Sequence, residues 1–81
     1  AFRNCKNLEK VYFSENVRFV GNKAFENCTN LKYVEFGGNL LFLGRDVFEN
    51  CSKLQQVVVP VGFNEVIKKR LLKGNIKVIE K

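Results

Sequence analysis

Apolar and polar positions recur along this chain with a fixed period. Ala1-Phe2-Arg3-Asn4-Cys5 returns as Ala24-Phe25-Glu26-Asn27-Cys28 and again as Val47-Phe48-Glu49-Asn50-Cys51, 23 positions apart each time. The match continues through Leu8/Leu31/Leu54, Val11/Val34/Val57 and Phe13/Phe36/Val59, then Val17/Leu40, Val20/Leu43 and Gly21/Gly44. Self-similarity of this kind marks a repeat architecture, in which one unit cannot bury its apolar side alone and stacked units share a continuous core.

Each repeat has the same internal grammar. Leu8, Val11 and Phe13 follow an L-x-x-L-x-L spacing. Residues 11 and 13 share one face of a strand because side chains alternate with a period of two. Val17 and Val20 form a second inward pair. Gly21 is expected to permit a turn with positive φ. Residues 22–28 read as a helical turn or short 3₁₀ piece with Ala24 and Phe25 inward. Successive strands then pair in parallel about 4.8 Å apart.

The third repeat diverges after Pro60 and then resumes. Asn16-Val17-Arg18-Phe19-Val20 and Asn39-Leu40-Leu41-Phe42-Leu43 are echoed by Asn75-Ile76-Lys77-Val78-Ile79. On that alignment the third repeat carries a 13-residue insertion, and Lys77 and Val78 join the second-strand columns of Arg18/Leu41 and Phe19/Phe42. Residues 63–74 read as a helix: Asn64 suits an N-cap and Glu65 the first turn, Lys69, Arg70 and Lys73 the C-terminal turns, and Gly74 the position just past the end. Ile67 and Leu71 share a face with Phe63. The bland reading is an amphipathic cap over the last repeat; the sharper one is a partner-binding helix.

A-F-x-N-C-x-x-L-x-x-V-x-F at a 23-residue period resembles the BspA-like class of leucine-rich repeats, over residues 1–60 and again over 75–79. The resemblance implies surface antigens and adhesins that bind proteins without catalysis, at a cell surface or in the extracellular space. The insertion at about 61–74 departs from the family pattern. The fold class expected is α/β: one leucine-rich-repeat solenoid over 1–81, with repeats 1–23, 24–46 and 47–81, parallel β-strands with short helical turns, and a C-terminal helical cap.

Length and composition narrow the function. Eighty-one residues make one domain at most. With 46% hydrophobic and 27% charged residues the chain is too apolar for disorder. No apolar run approaches the roughly 18 residues of a membrane span. The absence of His excludes Ser-His-Asp and Cys-His catalysis and Cys/His zinc sites. The eight acidic residues form no recognisable constellation, Ser14 and Ser52 lack a nearby base, and Gly37-Gly38 is a turn signal rather than part of a phosphate loop. The sequence therefore points away from an enzyme, and no cofactor is expected. The chain contains no Met, which suggests a fragment or processed product with further repeats ahead of Ala1.

Cys5, Cys28 and Cys51 occupy one position in three repeats. A column of nearly parallel Cα–Cβ vectors does not suit disulfides, and the spacing does not suit the usual metal patterns. Three buried free thiols acting as small apolar groups are expected. Asn4, Asn27 and Asn50 form a matching column whose amides could bond loop backbone.

The net charge of +6 is uneven. Residues 1–23 contribute +3, residues 24–46 contribute −1 and residues 47–81 contribute +4. Lys68, Lys69, Arg70, Lys73 and Lys77 form a candidate patch for an acidic ligand such as sulfated glycan; the bland reading is a solvated helix face. Nucleic acid is the weakest partner, since no recognised motif accompanies the lysines. The candidate protein-binding residues alternate with the inward strand positions: Lys10, Tyr12, Tyr33, Glu35 and Val58 on the first strands, Phe19 and Phe42 on the second. Phe19 and Phe42 either form an exposed stripe with Val78 or turn back into the core. An open N-terminal edge at repeat 1 predicts self-association. The rival to protein binding is a purely structural end of a longer array.

Overall fold

A computed structural model describes residues 2–72 and 76–81. Four strands form the larger sheet: β1 (Lys10–Phe13), β3 (Tyr33–Phe36), β5 (Gln56–Val59) and β6 (Lys77–Glu80), all parallel and side by side in that order. Two shorter strands, β2 (Phe19–Val20) and β4 (Phe42–Leu43), pair in parallel as a second sheet. One helix, α1 (Glu65–Leu71), lies between β5 and β6 in the chain. Parallel strands joined by one helix make an α/β repeat fold.

The register reproduces the 23-residue period. Val11 pairs with Val34 and Val34 with Val57; Phe19 pairs with Phe42. The inward columns build the core: Leu31, Val34, Leu40, Val57 and Val59 are fully buried, joined by Phe25, Phe36 and Leu43. Phenylalanines stack along the repeats, Phe2 on Phe25 at 5.2 Å and Phe13 on Phe36 at 4.8 Å between ring centroids.

The segments expected as short helical pieces are instead chains of tight turns. In residues 22–28 the bonds run from Ala24 N–H to Gly21 O and from Glu26 N–H to Lys23 O. Lys23 and Asn27 hold left-handed backbone at φ 57° and 64°, which prevents a continuous helix. Asp46 and Asn50 repeat the pattern. Gly21 and Gly44 are not the left-handed positions. Gly44 is needed because the preceding turn lies against it: an added Cβ would stand 2.4 Å from the backbone nitrogen of Asn22.

Strand β6 departs from the expected alignment. Lys77 pairs with Gln56, Val78 with Val57, Ile79 with Val58 and Glu80 with Val59. The segment therefore extends the larger sheet instead of joining β2 and β4. Gln56 to Lys77 spans 21 positions, against 23 from Lys10 to Tyr33, so the interval is shortened rather than lengthened by an insertion. The physical reason lies in Phe63, which falls 23 positions after Leu40 and is buried against Phe36 at 5.5 Å. The repeat frame thus runs unbroken to Phe63, and α1 then takes the place of a third short strand.

Helix α1 is bounded as its sequence suggests at one end. Asn64 accepts from the N–H groups of Val66 and Ile67 at 2.9 and 3.2 Å. Its own N–H donates to Asn39 Oδ1 at 2.9 Å, which ties the helix start to the second repeat. Ile67 and Leu71 are buried. The helix ends at Leu71 with Leu72 as its C-cap, shorter than residues 63–74. The roles expected of Ala1, Lys73, Gly74 and Asn75 fall outside the described residues.

Candidate functional site

The outward face of the larger sheet carries two rows fixed by the pairing. Lys10, Tyr33, Gln56 and Lys77 stand in one, and Tyr12, Glu35, Val58 and Ile79 in the other. Tyr12 is 67% exposed, on the edge strand. Its hydroxyl lies over Gly37, where an added Cβ would stand 3.0 Å away. The Tyr33 hydroxyl donates to Glu35 Oε1, since residues two apart on one strand share a face. That hydrogen bond, with some desolvation, holds the Tyr33 phenol above its ordinary pKa.

Val58 does not belong to the contact surface expected for it. It is 2% exposed although it stands outside the core cluster. Strands on both sides, with Glu35 and Ile79 beside it in register, cover its short side chain. It forms the floor of this face.

Phe19 and Phe42 are exposed at 69% and 49%, their ring centroids 6.2 Å apart. Leu41 beside them is also exposed. The stripe stops at Phe42: Val78, expected to extend it, packs against the core in the Val57 column. Phe19 and Phe42 stand on the smaller sheet, so the candidate protein-binding residues divide into two groups.

Two members of the basic segment, Lys68 and Arg70, are engaged within the molecule. Lys68 pairs with Glu65 and with Glu80, each at 3.5 Å. The Arg70 guanidinium donates to the carbonyls of Leu43 and Gly44, the latter at 2.9 Å. Lys69 and Lys77 are exposed on different elements, and Lys73 lies outside the described residues. Arg70 is thus a structural tie between α1 and the end of β4. Its basic charge conceals that role in the sequence.

The polar columns hold contacts that spacing alone does not assign. Asn27 Nδ2 donates to Asn4 Oδ1 at 2.9 Å, and Asn50 Nδ2 to Asn27 Oδ1 at 2.7 Å. The amides bond one another rather than loop backbone. They line an open trough with Lys6, Thr29 and Ser52. The recurrence of Asn at 23-residue spacing was the available signal; the left-handed backbone that aims the amides was not. The thiols also bond across repeats: Cys28 Sγ donates to Phe2 O at 3.0 Å and Cys51 Sγ to Phe25 O at 3.1 Å. All three cysteines are free, Cys28 and Cys51 buried and Cys5 partly exposed, which corrects the expectation that all three are buried. Burial raises the Cys28 thiol and pushes Cys51 up to about 11.

Among the described residues, no three His, Cys, Asp or Glu side chains gather as a metal site, and no helix is long and apolar enough to cross a membrane. A family model for the BspA type leucine-rich repeat region (6 copies) matches residues 1–80. The chain belongs to this family. BspA-type repeats are protein-interaction modules, generally without enzymatic activity and typically surface-associated or secreted. The parallel columns, the asparagine ladder and the stacked phenylalanines are the physical form of that repeat in this chain. Comparison with curated proteins finds no match, and comparison with solved structures finds none.

Proposed function

We propose that this chain is a non-catalytic protein-binding module of a cell-surface or secreted adhesin. In this reading its repeats form a short solenoid, α1 caps the last of them, and the outward face of the larger sheet holds the partner. The observation that carries it is the cluster of exposed Tyr12 beside the Tyr33–Glu35 pair on a rigid sheet. Tyrosine brings a large amphipathic contact at little entropic cost, and such residues are enriched among the anchors of protein interfaces. Lys10 at the rim of this face supplies charge selectivity.

Surface plasmon resonance of the immobilised chain against a panel of purified secreted and cell-surface proteins tests this. The expected result is saturable binding of at least one partner, weakened about tenfold or more by Tyr12→Ala combined with Glu35→Ala. Binding that the double variant leaves unchanged, or no binding across the panel, defeats the proposal.

A further inference from the structure

The smaller sheet turns large apolar side chains outward. In both of its strands the phenylalanine is exposed while the next residue, Val20 or Leu43, is buried. Leu41 is 59% exposed beside them. The N–H groups of Leu41 and Phe42 both donate to the Arg18 carbonyl, at 2.9 and 3.1 Å, which fixes this stretch against β2. Phe42 stands between Phe19 on one side and α1 on the other and is still exposed. Its exposure thus belongs to the outward direction of the column.

Helix α1 extends the stripe. The Asn64 N–H is held by Asn39 Oδ1, and the Arg70 guanidinium by the carbonyls of Leu43 and Gly44. The helix therefore runs alongside residues 39–44, tied near both ends. Val66 and Lys69 share a face with Arg70, by their spacing of four and one turn positions, and so stand on the β4 side of the helix. Val66 is 70% exposed. Phe19, Phe42, Leu41 and Val66 together form one apolar wall across β2, β4 and α1. Proteins rarely expose a contiguous apolar surface without a binding role.

The charges around this wall have one sign. Arg18 lies beside Leu41, Arg45 just past β4, and Lys69 beside Val66, all three exposed. Among the described residues none of the three pairs with a carboxylate. The carboxylates nearest in the chain are directed elsewhere. Glu65 is taken by Lys68 at 3.5 Å, Asp46 lines the cleft beside Phe48 and Leu71, and the Glu15 backbone lies over Gly38.

We propose that this wall docks on the surface of an anionic lipid bilayer. Phe19, Leu41, Phe42 and Val66 enter the boundary between headgroups and acyl chains, and Arg18, Arg45 and Lys69 rest on the lipid phosphates. Charge selects this occupant. A second copy seated on the same wall would bring the cations of both copies together with no carboxylate to oppose them. Shape argues the same way. Neither the cleft at the end of α1 nor the asparagine trough includes any of the four apolar side chains. They project from a wall, whereas a docked peptide helix needs a groove. Projecting apolar groups inside a cationic rim match an anionic bilayer surface, where acyl chains receive the former and headgroups the latter. The outward face of the larger sheet takes no part in this contact.

Co-sedimentation of the 81-residue chain with vesicles tests the proposal. Vesicles of phosphatidylglycerol and phosphatidylcholine should bind it about tenfold or more tightly than phosphatidylcholine alone, and added salt should weaken the binding. Phe19→Ser combined with Phe42→Ser should weaken binding to the anionic vesicles about tenfold or more, with little change in the urea midpoint. Arg18→Gln, Arg45→Gln and Lys69→Gln in one chain should remove the preference for anionic lipid. Lys6→Gln, Lys32→Gln and Lys53→Gln in another chain remove the same charge from other surfaces and should leave the preference in place. No binding to anionic vesicles, or equal losses in the two charge variants, would overturn the proposal. Self-association without lipid that the double phenylalanine variant abolishes would also overturn it, by making a second copy the occupant.

Discussion

The side-chain nitrogen of Asn27 donates to the side-chain oxygen of Asn4 at 2.9 Å, and both residues hold left-handed backbone. The two facts are linked. The left-handed conformation aims each amide along the line of repeats, so the same residue satisfies the turn and the ladder. Asparagine tolerates this conformation better than other residues with a Cβ.

Asn27 is the middle rung, with one neighbour on each side. Asn27→Ala loses both amide bonds and places alanine in the left-handed region, at a combined cost of about 2–4 kcal/mol. Asn27→Gly loses the bonds but not the backbone conformation and should cost about 1–2 kcal/mol less. Urea melts of the two variants separate the contributions. Equal midpoints would show that left-handed strain at this residue contributes nothing.

The glycines at the same repeat position should respond oppositely. Gly44→Ala forces a methyl group against the backbone and side chain of Asn22, whose Oδ1 also accepts from Arg45 N–H at 2.7 Å. A loss of about 3 kcal/mol is expected. Gly21→Ala meets open space and should be neutral or stabilise by about 0.5 kcal/mol through the unfolded chain. Thermal denaturation of both variants checks this, and a similar fall in Tm for both would contradict the packing described for Gly44.

Arg70 should matter for stability rather than for acidic ligands. Arg70→Ala leaves the carbonyls of Leu43 and Gly44 without their charged donor, at about 1–3 kcal/mol. Arg70→Lys should recover only part of this, because an ammonium cannot span two carbonyls as the planar fork does. Denaturant midpoints of the two variants decide it; full recovery by lysine would mean that charge alone is sufficient.

Cys51 makes the fold sensitive to alkaline pH. Its thiol is pushed up to about 11 from an ordinary 9.0, chiefly by burial. The folded state therefore keeps the proton after the unfolded chain has lost it. Stability from this group is complete below about pH 9 and declines as pH rises toward about 11. Urea midpoints between pH 8 and 11 should fall less steeply in Cys51→Ala than in the parent chain. An unchanged slope would count against the burial of this thiol.

Phe42 offers a contrast between surface and core. It is half exposed, so Phe42→Ser should shift stability by only about 0.5 kcal/mol. Phe36→Ser, in the buried column, should cost about 3–5 kcal/mol or more. Parallel denaturant melts check the difference, and a large loss at Phe42 would place its ring in the core.

The inward columns were legible because each depends on one strand's alternation and the period, both of which are written in the chain. Asn64 was legible as an N-cap because capping is local. Strand β6 was not. Residues 75–79 echo the Asn-x-x-Phe-x of the short second strand with Val78 in the place of Phe, but which sheet a strand joins depends on the edge left open after α1 displaces its neighbour. Gly37 and Gly38 read as a turn signal, yet their demand comes from the preceding repeat: an added Cβ would stand 2.8 Å from Phe13 O at one and 2.6 Å from Glu15 O at the other. Val58 looked outward by parity, and it is outward; its burial comes from neighbours on two other strands. Contacts between repeats decide each of these cases, and a linear pattern does not display them.

The shortened interval between β5 and β6 also bears on how the chain finds its own alignment. Identical units stacked at identical spacing are degenerate: a strand displaced by a whole unit meets much the same partners, and a folding chain could settle one unit out of frame. Among the described residues, the 21-position step and the helix within it occur once. A displaced pairing would leave Ile67 and Leu71 without their pocket and break the Arg70 tie to Gly44. The irregular segment thus acts as a frame marker, giving a nearly periodic sequence one correct starting point from which to count.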